Sequence, residues 1–192
     1  MDEEAKSTAL NQITYGLYVI GSKAGEELNG MTANWVTQVA FDPPLVAISV
    51  ENDAHTRKLI DEGKVFSVNV VEDNDEGKVI IQRYVKPQRR VKNKLGEDDF
   101  TTAVTGAPLL KVALSWFECE VVQTIETGDH QTYIGKVVGA GVQKQGEALS
   151  LKALGWHYGG QPALALDWQG GLQQMVLGRE IQSQRFVAHC LE

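Results

Sequence analysis

Apolar and polar residues alternate over short runs through most of this chain, and helical spacing shows in only three places. Tyr15–Ile20 reads as a first strand, rich in Tyr, Val and Ile. Gly21–Gly30 follows as a polar turn region, with Gly25 and the hairpin signal Asn29-Gly30. Met31–Phe41 predicts a second strand, in which Trp35 and Val39 alternate with smaller or polar residues, so that one face can be buried. Asp42-Pro43-Pro44 ends it, because proline cannot donate to a ladder. Leu45–Val50 is a nearly continuous apolar run, the pattern of a strand buried on both faces.

Helical spacing marks Glu4–Gln12, Ala54–Glu62 and Asp75–Tyr84. For the second helix, Asn52 or Asp53 is the expected N-cap and Gly63 the expected stop. Val65–Val71 is β-branched and predicts a strand between the later helices. Val85–Lys94 is a basic loop broken by Pro87, and Thr101–Val104 a short strand. Leu110–Glu126 and Tyr133–Val142 predict long strands joined by a hairpin turn at Gly128-Asp129-His130. Strands outnumber helices and follow one another directly, which predicts a mainly β fold, a barrel with a few peripheral helices. Residues 1–158 read as one domain. The pattern weakens over 159–192, a C-terminal extension punctuated by Gly159-Gly160 and Gly170-Gly171.

Composition narrows the function. With 192 residues, 43% of them hydrophobic, the chain can bury a sizeable core. Nineteen glycines suit many tight turns. A net charge of -7 argues against binding nucleic acid through its phosphates or docking on anionic lipid. No apolar run is long enough to span a membrane, and Met1–Gln12 lacks the apolar stretch of a secretory signal, so a cytoplasmic protein is expected. Cys119 and Cys190 form no disulfide framework, and His55, His130, His157 and His189 lack metal-ligand spacing, so no metal is expected.

Two stretches carry candidate chemistry. Thr32, Asn34, Thr37 and Gln38 give one strand many hydrogen-bonding side chains, enough to meet the polar edge of a planar heteroaromatic ring; a strand with one wet face would look the same. In Ser49-Val50-Glu51-Asn52-Asp53-Ala54-His55-Thr56-Arg57 a buried strand runs into a helix start. Free N–H groups there, with Ser49, Asn52, Thr56 and Arg57 nearby, suit a phosphate; an ordinary capped helix with an exposed Arg is the plain alternative.

Thr32-Ala33-Asn34-Trp35-Val36-Thr37-Gln38-Val39-Ala40, followed by Pro43-Pro44-Leu45-Val46, resembles the T-A-N-S-F-T-S-V-S and P-P-L-V segments of the flavin reductase-like family, the FMN-binding split barrels. Phe66–Val70 (F-x-V-N-V), Gly106–Leu109 (G-x-P-L) and Gly128–Val137 (G-D-H, then I-G-x-V) extend the resemblance over about Leu10–Tyr158. Trp35 stands where Ser is common, and Val36 where Phe is, a pair similar to that in the reductase domains of flavodiiron proteins.

The resemblance implies a split β-barrel that binds FMN at a homodimer interface. Thr32, Ala33, Asn34, Trp35, Val36 and Thr37 would line the ring, and Ser49, Val50, Asn52, His55, Thr56 and Arg57 the ribityl chain and phosphate. It implies an NAD(P)H-dependent flavin oxidoreductase, with NADH or NADPH as hydride donor and a partner oxygenase or acceptor protein downstream. An FMN-binding electron-transfer protein, fed by another protein, is the alternative. His130 is the candidate catalytic side chain, expected in the hairpin turn near the nicotinamide; a plain turn histidine would occupy the same place. His157-Tyr158 could close over the site or simply pack. Lys86, Arg89, Arg90, Lys92 and Lys94 could hold a phosphate or form a solvated loop balanced by Glu97-Asp98-Asp99. Cys119, between Glu118 and Glu120, reads as structural.

Overall fold

The computed structural model describes residues 1–85, 95 and 100–156. The basic run 86–94, Glu97-Asp98-Asp99, His157-Tyr158 and the 159–192 extension, Cys190 and His189 among them, lie outside the described residues. Two units can be separated. One contains helix α1 (Glu3–Asn11), close to the expected helix and capped by the Asp2 carboxylate, which accepts from the N–H groups of Glu4 and Ala5 at 3.0 and 3.1 Å.

The other unit, Thr14–Leu154, carries the sheet. Its elements are β1 (Tyr18–Ala24), β2 (Glu27–Ala33), β3 (Val36–Ala40), β4 (Leu45–Glu51), α2 (His55–Gly63), β5 (Val65–Val70), α3 (Asp75–Val85), β6 (Phe100–Thr101), β7 (Leu109–Leu110), β8 (Ser115–Thr127) and β9 (His130–Val142). Seven strands form one antiparallel sheet in the order β2-β1-β5-β8-β9-β4-β3, and β6 pairs with β7 apart from it.

The outermost strands, β2 and β3, are consecutive in the chain and joined only through Asn34 and Trp35. Laid flat, six spacings of ~4.8 Å would hold the sheet edges about 29 Å apart. The three Cα steps from Ala33 to Val36 reach at most about 11 Å. The sheet therefore curls until its edges meet, yet no ladder joins β2 to β3. The result is a mainly β split barrel, filled by Ile20, Val46, Ile48, Val50, Phe66, Val68, Cys119 and Tyr133, with Ile60 of α2 packed among them.

That closure corrects several expectations. The expected strand Met31–Phe41 is broken at Asn34-Trp35 into β2 and β3, and Val39, expected on a buried face, is exposed. Asn29-Gly30 makes no turn: Asn29 pairs with Ser22 and Gly30 with Gly21 inside the ladder. The turn is at Gly25-Glu26, where Gly25 takes φ +54°, a conformation open to glycine. β4 is buried on one face only, through Val46, Ile48 and Val50, as befits a barrel wall.

Helix α2 has Ala54 at its N-cap and no side-chain cap; neither Asn52 nor Asp53 supplies one. At its other end Gly63 is still helical, and Lys64 takes the left-handed position at φ +56°. Gly63 serves a close approach: a Cβ there would lie 1.8 Å from the Lys23 carbonyl oxygen. The expected strand Thr101–Val104 shrinks to β6, because Val104 and Thr105 give their N–H groups to the buried Glu118 carboxylate, each at 2.8 Å. The expected strand Leu110–Glu126 divides into β7 and β8 around a turn in which Ala113 N–H donates to Leu110 O.

Candidate functional site at the barrel seam

The residues of interest come together where β4 ends, α2 begins and the β8–β9 hairpin turns. Register sets this. Ser49, Val50 and Glu51 of β4 pair with Thr132, Gln131 and His130 of β9. Asn52 then fastens the turn: its N–H donates to Asp129 O at 3.0 Å and its side-chain amide to Gly128 O at 2.8 Å. The α2 start stays open because Ala54, which has no side-chain acceptor, holds the N-cap position, while Asn52 is turned to the hairpin.

Trp35 arrives from the seam. Its carbonyl accepts from Ser49 N–H at 3.1 Å, and its ring packs on His130 with 4.5 Å between centroids. His130, expected in the hairpin turn, follows that turn directly: it opens β9 and is buried, packed against Trp35. Its Nδ1 lies 2.7 Å from the Asp129 carboxylate. The hydrogen bond to His130, followed by the charge of that ring, holds Asp129 below its ordinary range.

Arg57 lies in the first turn of α2. One terminal nitrogen donates to Asn52 O at 3.0 Å and the other to Gln131 Oε1 at 3.4 Å. Its Nε is 3.5 Å from Asp61 Oδ2. Asp61 Oδ1 accepts a hydrogen bond of 2.8 Å from the hydroxyl of Tyr133. Burial, and then the bond to Asp61, push the Tyr133 phenol above its ordinary value, so it stays a donor. Beside this lies a row of hydroxyls: Ser49 and Thr132 are 2.7 Å apart, and Thr127 is 3.2 Å from Thr132.

The other expected site residues stand as follows. Thr32 donates its hydroxyl to Ile81 O of α3 at 2.6 Å, and Ala33 and Val50 turn their side chains into the core. Val36 and Thr37 pair with Ile48 and Ala47 on the outer strand β3, where Thr37 is exposed. The Thr56 hydroxyl is buried and accepts from the Asn29 amide at 2.7 Å, which leaves its backbone as the group facing the helix start. His55 meets Glu27 at 2.8 Å on the surface. The seam thus gathers Trp35, His130, Ser49, Asn52 and Arg57, while Thr32 and His55 are engaged by α3 and β2. Gln131, Thr132, Asp61 and Tyr133 join the site without having been expected. Asp61 could have been found from its place four residues after Arg57 on one helix face.

The donor set fits a phosphorylated flavin. Asn34 Nδ2 is buried at the seam without a hydrogen-bond partner among the described residues, the state of a donor that awaits an acceptor. The uncapped start of α2 with Arg57 beside it suits an anion, and the Trp35–His130 pair offers an aromatic wall.

Comparison with known proteins agrees with this chemistry. The sequence model described as "Flavin reductase like domain" matches residues 10–165. The chain belongs to the flavin reductase-like family. It is 34% identical over 143 residues to the high molecular weight rubredoxin of Moorella thermoacetica, an overlap of 74% of this chain and 62% of that protein. It is 30% identical over 148 residues to the NADH-dependent flavin reductase StyB of Pseudomonas fluorescens, covering 77% of this chain and 83% of StyB. Among solved structures, BorF, the flavin reductase component of a bacterial two-component tryptophan halogenase, superposes with a TM-score of 0.70 at 27% identity, over 82% of this chain and 98% of BorF. The chain spans less than two thirds of the Moorella protein, and about a quarter (24%) of the diflavin flavoprotein A 1 of Synechocystis sp. that it also matches.

Proposed function

We propose that this chain is an NAD(P)H-dependent flavin oxidoreductase that binds FMN at the barrel seam. The observation that carries this reading is the buried Asn34 amide without a partner among the described residues, next in the chain to the Trp35–His130 aromatic pair, together with an uncapped helix start that carries an arginine. Flavin supplies the chemistry of accepting hydride from nicotinamide. The chain's task is to hold and orient. Asn34 offers N–H donors to the polar edge of the ring, where donors offset developing negative charge. Trp35 and Val36 line the ring, with the backbone of Thr32, Ala33 and Thr37 completing the strand side. Ser49, Val50 and Asn52 border the ribityl chain. Arg57 and the N–H groups of His55 and Thr56 receive the phosphate. His130, braced by Asp129, stands where it can meet the nicotinamide and acts as the catalytic side chain.

Among the described residues one such helix start, with a single arginine, supports FMN over FAD. Kinship with StyB supports NADH as the donor, and kinship with BorF supports delivery of reduced flavin to a partner oxygenase. The exposed apolar residues Val39 and Phe41, at the end of the outer strand β3, favour a homodimer. The thiol of Cys119 suits a reducing cytoplasm.

The second reading, an FMN-binding electron-transfer protein fed by another protein, draws on the match to the Moorella rubredoxin and the diflavin flavoproteins, in which this chain corresponds to a part. Anaerobic mixing of the FMN-loaded protein with NADH or NADPH separates the two. Bleaching of the flavin absorbance within seconds supports the oxidoreductase. A flavin that stays oxidised with both nucleotides refutes it and leaves electron transfer.

A further inference from the structure

A guanidinium on a long flexible stem is an effective anion seat only when its plane is fixed, because ordering that stem costs conformational entropy. Arg57 is held at its two terminal nitrogens by two acceptors, Asn52 O and Gln131 Oε1, while its Nε makes no hydrogen bond among the described residues and lies in ionic contact with Asp61 Oδ2 at 3.5 Å. The Asp61 contact adds charge attraction at the guanidinium end of the stem, and the Asp61 carboxylate is itself held from the barrel wall. Tyr133 of β9 is fully buried and donates to Asp61 Oδ1 at 2.8 Å, while the same hydroxyl lies 3.4 Å from Arg57 O. Asp61 thus divides its two oxygens between the rigid wall and the guanidinium.

We propose that Asp61 and Tyr133 are positioning residues, which aim the Arg57 guanidinium at the phosphate of the bound flavin; this rests on the flavin reading above. Asp61 is an unexpected neighbour for an anion site, since its own charge opposes a phosphate. Its presence is understandable if orientation contributes more than that repulsion takes away. Tyr133 restrains Asp61 from swinging towards the ligand. Burial raises the pKa of this phenol, so it remains a donor to Asp61 across the neutral range.

The test compares FMN with riboflavin, which has the same ring and no phosphate, by fluorescence titration of the full chain and its Asp61→Asn and Tyr133→Phe variants. Both variants are expected to raise the Kd for FMN by about five- to tenfold and the Kd for riboflavin by less than about twofold. The excess FMN affinity of the parent protein is expected to fall with added salt, and to do so less in the variants. Tyr133→Phe keeps the ring in the core and the Asp61 charge at the site, and a thermal melt of each variant confirms folding. Equal loss of affinity for both ligands would mean that the pair merely staples α2 to β9, and would overturn the proposal. Tighter FMN binding by Asp61→Asn would overturn it as well, by showing that charge outweighs orientation. If the parent protein bound FMN and riboflavin equally well, Arg57 would meet no phosphate; the positioning role would fail while the flavin reading stood. If it bound neither, the flavin reading itself would fail.

Discussion

Trp35 and His130 face each other ring to ring, 4.5 Å between centroids and 45° between planes, and so tie the barrel seam to the β8–β9 hairpin. Trp35 belongs to the two-residue link that closes the barrel, and His130 opens the strand paired with β4. One ring contact thus links the residues on either side of the proposed flavin site.

His130→Ala is expected to lower kcat/KM for NADH by about 10- to 100-fold while changing the FMN Kd by less than about threefold. Steady-state NADH oxidation and a flavin titration on the same preparation check this. A large loss of FMN binding with unchanged turnover of the bound fraction would make His130 a flavin contact rather than a catalytic one.

Arg57→Ala is expected to weaken FMN binding by about 1.5–3 kcal/mol, the worth of a charge-assisted contact, and to leave riboflavin binding nearly unchanged. Isothermal titration with each ligand measures the difference. Unchanged FMN affinity would remove Arg57 from the phosphate seat.

Glu118 is a fully buried carboxylate that accepts from Val104 N–H, Thr105 N–H and the Thr105 hydroxyl, at 2.8, 2.8 and 2.6 Å. Glu118→Ala strands two backbone donors and is expected to destabilise the protein by about 2–4 kcal/mol, read from urea unfolding. Thr105→Val removes one donor to Glu118 and the acceptor of Ala107 N–H, and is expected to cost about 1–2 kcal/mol.

Burial, and secondarily the charge of Glu118, push the Cys119 thiol up to about 12. The folded state thus keeps its proton where the unfolded thiol has lost it, and the unfolded state binds fewer protons between those values. The stability contributed by this thiol is complete below the ordinary value of 9.0 and is lost as pH rises towards about 12. Its share of the slope is at most about 1.4 kcal/mol per pH unit. Unfolding titrations at successive alkaline pH values, with and without Cys119→Ala, measure it; the variant is expected to show the shallower decline. In the native protein this thiol is expected to resist alkylation at neutral pH, and prompt labelling would contradict its burial.

Local pattern carried much of the architecture. The β-branched run Val65–Val70 and the helical spacing of Asp75–Val85 announce themselves because each element's own residues decide its type. The break at Asn34-Trp35 does not, because neither residue is a chain breaker and the interruption is imposed by barrel closure, a non-local demand. The same limit governs the site. Arg57, Asn52, His130 and the Asn34-Trp35 segment stand out by residue type, but the engagement of Asn52 by Gly128 O, of Thr56 by Asn29 and of Asp61 by Tyr133 joins residues brought together only by register. Gln131 and Thr132 do not stand out because the apolar pattern of the hairpin strand starts at Tyr133, whereas the ladder begins at His130.

A crystal structure of the protein soaked with FMN tests the central claim most directly. The account predicts flavin density along Asn34-Trp35 beside His130, with an acceptor on the Asn34 amide and the phosphate within hydrogen-bonding reach of Arg57 and the start of α2. Clear FMN density at another site, or a seam left empty at saturating FMN, would contradict it.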